Sequence, residues 1–337
     1  MHIGAIDVGR TVLVVAEAGN NHEGDFAVAQ QLVDRAADAG ADAIKFQTFI
    51  PELLVSSSDP DRLRRLQSFR LTIAQFELLA KQAEAAGLLF LSTPFDLESA
   101  AALNRFQAAF KIASGDNNFD ALIDTVAGFG KPMLVSTGLA DLPVIERLHA
   151  RICRIWAKAG VQPGLALLHC VSAYPAPHDQ ANLAAIPALK ARFPDTVVGY
   201  SDHNIGIDAA ICAVAAGARI IEKHFTLDKA YSGFRDHQLS ADPGEFRHLV
   251  DGIRRTELML GSGDLSALPC EQETQIAARR SIAAATVLAE GTTITHSDLT
   301  WVRPGTGISP GQEAAVVGRT LARSLRQGEL ITPSDLA

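Results

Sequence analysis

The chain has 337 residues, 47% of them hydrophobic and 20% charged, with a formal net charge of -8. This is globular composition with ample length for a core, and one large domain plus a small one fits the length better than a single domain. The negative balance argues against nucleic acid and anionic membrane as partners, so the positive charge needed for an anionic ligand has to be local. Cys153, Cys170, Cys212 and Cys270 lie far apart with no CxxC pair. Three stand inside apolar runs, which reads as buried free thiols rather than a disulfide framework. The N-terminus lacks a basic segment leading into an apolar stretch, and apolar runs of about ten residues are too short to span a bilayer. A soluble, cytoplasmic protein is expected.

In chain order, short apolar runs fall at 12–18, 43–49, 88–93, 109–114, 132–137, 165–171, 197–201 and 220–226. Each is nearly continuous in hydrophobicity, as strands covered on both faces are. The segments between them carry helical spacing, as in Phe26, Val28, Leu32, Val33 and Ala36, or Phe76, Leu78, Leu79 and Ala83. Eight β-then-α units in roughly 260 residues predict an α/β fold of the (β/α)8 TIM barrel type. A doubly wound open sheet is the competing arrangement, and the lack of a glycine-rich dinucleotide loop counts against it. The barrel is assigned to 1–261, a linker to 262–280 and a small β-rich domain to 281–337. Within that tail 291–299 recurs as 328–336, each copy reading as a turn, a strand and a Ser N-cap that opens a short helical turn.

Polar residues gather at the C-terminal ends of the eight runs: Glu17, Asn20, Lys45, Gln47, Thr93, Lys111, Ser114, Ser136, Ser172, Ser201, His203, Glu222 and His224. Capping at one strand end is ordinary; the same end being polar in all eight points to the face where barrel active sites lie. His203 and His224 come from consecutive units and suit a divalent metal with open positions, although local hydrogen bonds in the core account for them equally well. Lys45, Lys111 and Lys223 interrupt buried runs, where a lysine is seldom found unpaired. A salt bridge to Glu222 or Glu17 is the simple account of Lys223. Lys45 and Lys111, with the hydroxyls of Thr93, Ser114, Ser136 and Ser201, read as ligands for a phosphate and a carboxylate. Glu17, Asp116 and Asp236 are the carboxylates available for proton transfer, with Asp96 read as a helix cap and Asp202 as a turn residue.

The segments AEAGNNHEGD, DAIKFQTF, STPFD, KIASGD, VSTG, HCVSAYPAP, GYSDHNIG and EKHFTLDK, in this order, closely resemble the N-acetylneuraminate (sialic acid) synthase family. The tail, with RPGTGI and a repeated ITxSDL, resembles the C-terminal antifreeze-like SAF domain of that family. The resemblance implies a metal-dependent barrel that joins phosphoenolpyruvate to an N-acetylmannosamine-type sugar and water, releasing phosphate. It implies His203 and His224 as ligands of a divalent metal, typically Mn2+, with Mg2+ or Co2+ as alternatives. Lys45, Gln47, Thr93, Lys111, Ser114, Ser136, Ser172 and Ser201 would hold phosphoenolpyruvate, and Glu17, Tyr174 and Asp236 would face the sugar. A homodimer is implied in which Arg303 from one tail reaches the sugar's acyl group in the partner's barrel.

Three departures stand out. Asp116 occupies a position where the family usually has glutamate, and Ser172 one where it often has asparagine. SGFRDH, at 232–237, replaces a Gly-Pro-Asp-His stretch and adds Arg235, which meets either a polar substituent of the substrate or a surface ion pair. The acetamido sugar therefore stays open between N-acetylmannosamine and diacetamido-dideoxy hexoses. The competing functions are a Schiff-base aldolase using Lys111 or Lys223 and a non-enzymatic sugar-binding protein.

Overall fold

The computed structural model describes residues 1–337 as two compact units, Met1–Gly261 and Ser262–Ala337. The first is a nearly closed (β/α)8 barrel. Its parallel strands are β1 (Leu13–Gly19), β2 (Ala43–Thr48), β3 (Leu89–Pro94), β4 (Phe110–Ile112), β5 (Met133–Ser136), β6 (Leu165–Cys170), β7 (Val197–Asp202) and β8 (Ile220–His224). β8 pairs with β1, and the ladder is continuous except between β3 and β4. At that seam the Gln107 side chain accepts the Ser92 N–H at 2.8 Å. Lys131 in turn donates to the carbonyls of Gln107 and Asn104 at 2.8 and 2.6 Å.

Strand parity positions everything that follows. Side chains alternate between barrel interior and helix layer. The inward residues Val15, Ala43, Leu91, Ala109, Leu134, Leu168 and Ile220 form one apolar cluster, which Ile3 and Val8 of the N-terminal segment join. That segment carries a short hairpin, His2–Ile3 against Ile6–Asp7, which no apolar run announced. Outward residues such as Val14, Phe46, Phe90, Val135, Leu167 and Tyr200 pack in the larger cluster beneath the helices. Two positions beyond each inward apolar residue, toward the C-terminal end, the row turns polar.

The outer helices are α1 (Phe26–Asp38), α2 (Ile73–Ala85), α3 (Leu97–Leu103), α4 (Asp120–Gly128), α5 (Leu142–Ala159), α6 (Ala185–Arg192), α7 (Asp208–Ala215) and α8 (Pro243–Leu260). Asp25 caps α1, and capping boxes of Thr72 with Gln75 and Asp242 with Glu245 start α2 and α8, satisfying N–H groups the first turn leaves free. α1 buries Val28, Leu32, Val33 and Ala36 as its spacing predicts. On α2 the buried stripe is Phe76, Leu79, Ala80 and Ala83, while Leu78 falls off it and is exposed. Two short helices, Pro51–Leu54 and Pro60–Phe69, interrupt the β2–α2 connection, and Arg235–Leu239 interrupts β8–α8. All four cysteines are free, but only Cys170 is buried; Cys212 and Cys270 are exposed, because apolar neighbours in sequence do not fix which way a side chain faces. No helix is long and apolar enough to cross a membrane.

In the second unit β9 (Ser281–Ala284) runs antiparallel to β10 (Leu299–Val302), over a small core that includes Ile282, Ile294, Leu299, Leu321 and Ile331. The repeat copies hold isolated β-bridge positions, Thr293 in the first and Leu330 and Leu336 in the second, rather than a full strand each, and the first copy ends on Leu299, where β10 begins. The expected Ser caps are replaced by Thr295 and Thr332: the Asp298 and Asp335 carboxylates each accept from the threonine's backbone N–H and from its hydroxyl. The segment 262–280 is exposed throughout and contains a short helix, Gln272–Ala278.

Candidate active site

The polar layer consists of Glu17, Lys45, Thr93, Lys111, Ser136, Cys170, Ser201 and Glu222, one from each strand of the barrel, and all line a single cavity of about 1120 Å3 at the C-terminal mouth. That is the upper end of the size of small-molecule sites. Lys45 Nζ lies 2.6 Å from Glu17 Oε2 and 3.6 Å from Glu222 Oε2, and donates to Thr93 Oγ1 at 3.1 Å. Lys111 Nζ donates to Ser136 Oγ at 2.7 Å and lies 3.7 Å from Glu222 Oε1, which also accepts from Ser201 Oγ at 2.9 Å. Glu222 thus stands between the two lysines. Burial opposes its ionisation, yet Lys111 and Lys45 together hold its carboxyl below the usual range. Burial likewise opposes charge on Lys45, but Glu17 and Glu222 outweigh it; for Lys111 burial prevails and lowers the ammonium. Gln47 joins the network by donating to Glu17 and accepting from Asn20.

Ser114 and Ser172 approach from the loops after β4 and β6. Both hydroxyls are buried without a hydrogen-bond partner. They converge only because residue 138 is glycine: a Cβ there would stand 2.4 Å from Ser172 Oγ and 2.7 Å from Ser114 Oγ. Unsatisfied hydroxyls held together in this way are donors awaiting an acceptor.

His203 and His224 lie side by side at the cavity wall, ring centroids 5.4 Å apart. His203 Nδ1–H donates to the Val171 carbonyl at 2.7 Å, which leaves Nε2 to ligate once deprotonated; burial opposes charge on this ring, but Cys170 and the Val171 carbonyl outweigh it and raise the imidazole above its usual range. Burial, reinforced by His203, keeps the His224 imidazole well below its usual range and hence neutral. These are the requirements for imidazole ligation. No group of three or more His, Cys, Asp or Glu is gathered as a metal-ligand set, so a divalent ion held here would take its other ligands from water or substrate. The Tyr174 ring packs against His203, centroids 4.1 Å apart and planes tilted by 36°, and the Arg235 guanidinium lies 4.9 Å from the centre of the same tyrosine ring. Asp236 lines the cavity beside it, its carboxyl raised by burial against the opposing charge of Arg235.

Several sequence expectations are corrected by parity. Lys223 points outward, buried between strands and helices, 2.9 Å from Asp202 Oδ2; neither Glu222 nor Glu17 is its partner. Asp202 is accordingly a buried counter-ion as well as a turn residue, its Oδ1 accepting the Asn204 N–H at 2.8 Å, and Asp96 caps α3. Asp116 sits half-buried in the turn Ser114–Asp116 and does not itself line the cavity, although Ser114 and Gly115 do. Burial, opposed by Lys111, pushes its carboxyl up to about 6. Arg303 belongs to the second unit, where it is exposed and follows β10. The site also contains residues that the sequence reading did not assign. Cys170 was open to discovery through strand parity, and Glu222, noted among the polar strand ends, takes its place between the lysines only from the geometry; Glu23 comes from a turn and Arg62 and Arg65 from the inserted helix Pro60–Phe69, which carry no such signal.

Residues 32–265 match the model of the NeuB family, and residues 279–337 that of the SAF domain. An N,N'-diacetyllegionaminic acid synthase of Campylobacter jejuni is 37% identical over 336 residues, spanning 96% of this chain and 99% of that protein. A human N-acetylneuraminate-9-phosphate synthase is 30% identical, spanning 94% and 90%. The crystal structure of a sialic acid synthetase from Leptospira borgpetersenii matches with a TM-score of 0.76 at 36% identity, over 81% of this chain and 94% of that one. With barrel and tail both matched, the chain belongs to the NeuB family of sialic acid synthase-like enzymes and carries a C-terminal SAF domain.

Proposed function

We propose that the chain condenses phosphoenolpyruvate with an acetamido sugar of the N-acetylmannosamine type and water, releasing inorganic phosphate. The observation that carries this reading is the polar layer: two buried lysines and five hydroxyls, two of them unpartnered, converge on one cavity directly beside a pair of histidines. A small phosphorylated carboxylate is the ligand chemistry such a layer serves. In the condensation, C3 of phosphoenolpyruvate bonds to the aldehyde carbon of the sugar, water adds at C2, and the C2–O bond to phosphate breaks.

Lys45 with Thr93, and Lys111 with Ser136, take the phosphate and carboxylate, aided by Gln47, Ser114, Ser172 and Ser201. Glu222 balances the lysines before substrate arrives, and the substrate's anionic groups compete with it for them. Glu17, Tyr174 and Asp236 face the sugar. His203 and His224 hold a divalent ion, Mn2+ as first choice, which when bound polarises the aldehyde oxygen as a Lewis acid. Asp116, whose carboxyl burial pushes up to about 6, is assigned the proton of the attacking water, which has to be relayed because Ser114 and Gly115, not Asp116, form the cavity wall. Glu17 and Asp236, which line the cavity together with Glu222 and Glu23, are the other two carboxyls assigned to proton transfer. A homodimer completes the proposal, with Arg303 reaching the sugar bound in the partner's barrel; its support is an exposed guanidinium with no carboxylate partner.

The lowered ammonium of Lys111 favours one version of the Schiff-base alternative. Phosphate release from phosphoenolpyruvate is the deciding assay, run with N-acetylmannosamine and with diacetamido sugars, with and without chelator. Sugar-dependent, chelator-sensitive release is expected. A borohydride-trapped adduct on Lys111 without phosphate release would overturn the condensation.

A further inference from the structure

The loop after β8 holds the residue that the reaction above leaves unused. Residues 231–240 are pinned at several points. Ser232 donates to Glu23 Oε1 and accepts the Phe234 N–H at 3.0 Å. The Phe234 ring meets Phe69 edge-on at 5.2 Å. His237, 1% exposed, donates through Nε2 to the same Glu23 oxygen at 2.9 Å and shares a 2.6 Å hydrogen bond with the Thr226 hydroxyl. Ser240 donates to the Asp236 carbonyl at 2.6 Å and accepts from Asn21 at 3.0 Å. Between these anchors stand Arg235 and Asp236, and both line the cavity.

The guanidinium of Arg235 rests on the Tyr174 ring, one aromatic ring beyond His203. Its Nε is 3.4 Å from Asp236 Oδ1, and its terminal nitrogens have no protein partner. Two consequences follow from this placement. A sugar whose aldehyde lies at the histidines extends its far end past Tyr174 toward Arg235. Asp236 also offsets the cation, so the pair offers directed N–H donors with little net charge, which suits a neutral carbonyl oxygen better than a phosphate.

We propose that Arg235 selects a sugar bearing a second acylamino group remote from the aldehyde, donating to its acyl oxygen; this rests on the condensation reading above. Glu23 is a positioning residue for the same selection, because its carboxylate fixes both Ser232 and His237 on either side of Arg235.

The test compares kcat/KM for a diacetamido mannose-type sugar and for N-acetylmannosamine, by phosphate release. The wild type is expected to favour the diacetamido sugar by about tenfold or more. Arg235→Ala should bring that ratio near one while KM for phosphoenolpyruvate stays unchanged. Arg235→Lys, which keeps charge but loses the planar fork, should fall between. Glu23→Gln should lower the ratio with Arg235 intact. Equal losses on both sugars in Arg235→Ala, or a wild-type preference for N-acetylmannosamine or its phosphate ester, would overturn the proposal and leave the condensation standing. Failure of the wild type to release phosphate with any of the sugars would remove the condensation reading, and this inference with it.

Discussion

Replacing Lys223 with methionine distinguishes a structural lysine from a chemical one. Lys223 and Asp202 are each 1% exposed, with Nζ 2.9 Å from Oδ2. At an effective dielectric of about 20, two unit charges at that separation attract by roughly 6 kcal/mol, which desolvation of both ions largely offsets. Removing one partner strands the other, and a stranded buried charge costs about 3–5 kcal/mol. Asp202 keeps hydrogen bonds from the Asn204 N–H at 2.8 Å and the Tyr200 hydroxyl at 3.2 Å, which favours the lower end, about 3 kcal/mol. For a domain of this size that is a fall in Tm of roughly 6–10 °C. Asp202→Asn added to Lys223→Met should recover about 2 kcal/mol, since the two sites are coupled. Urea and thermal unfolding report stability, and kinetics well below the transition report function; both KM values should stay within about twofold of wild type. An unchanged Tm with activity lost, or a borohydride-trapped substrate on Lys223, would refute this account.

Alanine at His203 or His224 should abolish Mn2+ binding, measured by titration calorimetry, and turnover with it, while the fold is retained; full activity in a metal-stripped His203→Ala variant would refute the metal site. Lys45→Met and Lys111→Met should raise KM for phosphoenolpyruvate about tenfold or more, with a much smaller effect on the sugar; equal effects would make the lysines structural. The raised carboxyl of Asp116 disfavours its charged form in the fold, so its stabilising contribution is complete below the ordinary Asp range and is lost as pH climbs through about 6. Asp116→Asn should therefore gain stability relative to wild type above that pH, and lose most of kcat together with the limb near 6 in its pH–rate profile; a near-normal profile would move the proton role to Glu17 or Asp236. Mixing His203→Ala with Arg303→Ala under subunit exchange should restore part of the activity if Arg303 acts on the partner's sugar, and no recovery, or an active monomer, would rule that out.

The barrel was legible because eight buried strands followed by amphipathic helices leave a periodic trace, and because polar residues at one end of every strand mark the working face. What the run of letters hides is parity. In β8, Ile220, Glu222 and His224 face inward while Ile221 and Lys223 face outward, so one residue's shift separates a site carboxylate from a structural lysine. Counting back from His224 in steps of two keeps Glu222, already among the polar strand ends, and excludes Lys223. The connections offered no such count. Glu23 works through a tertiary clip to residues more than 200 positions away, and the helix that brings Arg62 and Arg65 to the rim is polar on most of its surface. Asp116 shows the converse: residue type and motif pointed to the site, but only the turn geometry set it behind Ser114.

The gap in the ladder between β3 and β4 divides the ligand layer. Lys45 and Thr93 lie on the β2–β3 side, Lys111 and Ser136 on the β4–β5 side. Across the gap the backbone is joined only by the side-chain link of Gln107; around the rest of the ring the ladder is unbroken. A split ring is most compliant at its split, so the separation of the two lysines is the soft coordinate of the site. An anion gripped by both would span the cut and stiffen the whole circle, so that the first substrate to bind also sets the rigidity with which the second is received.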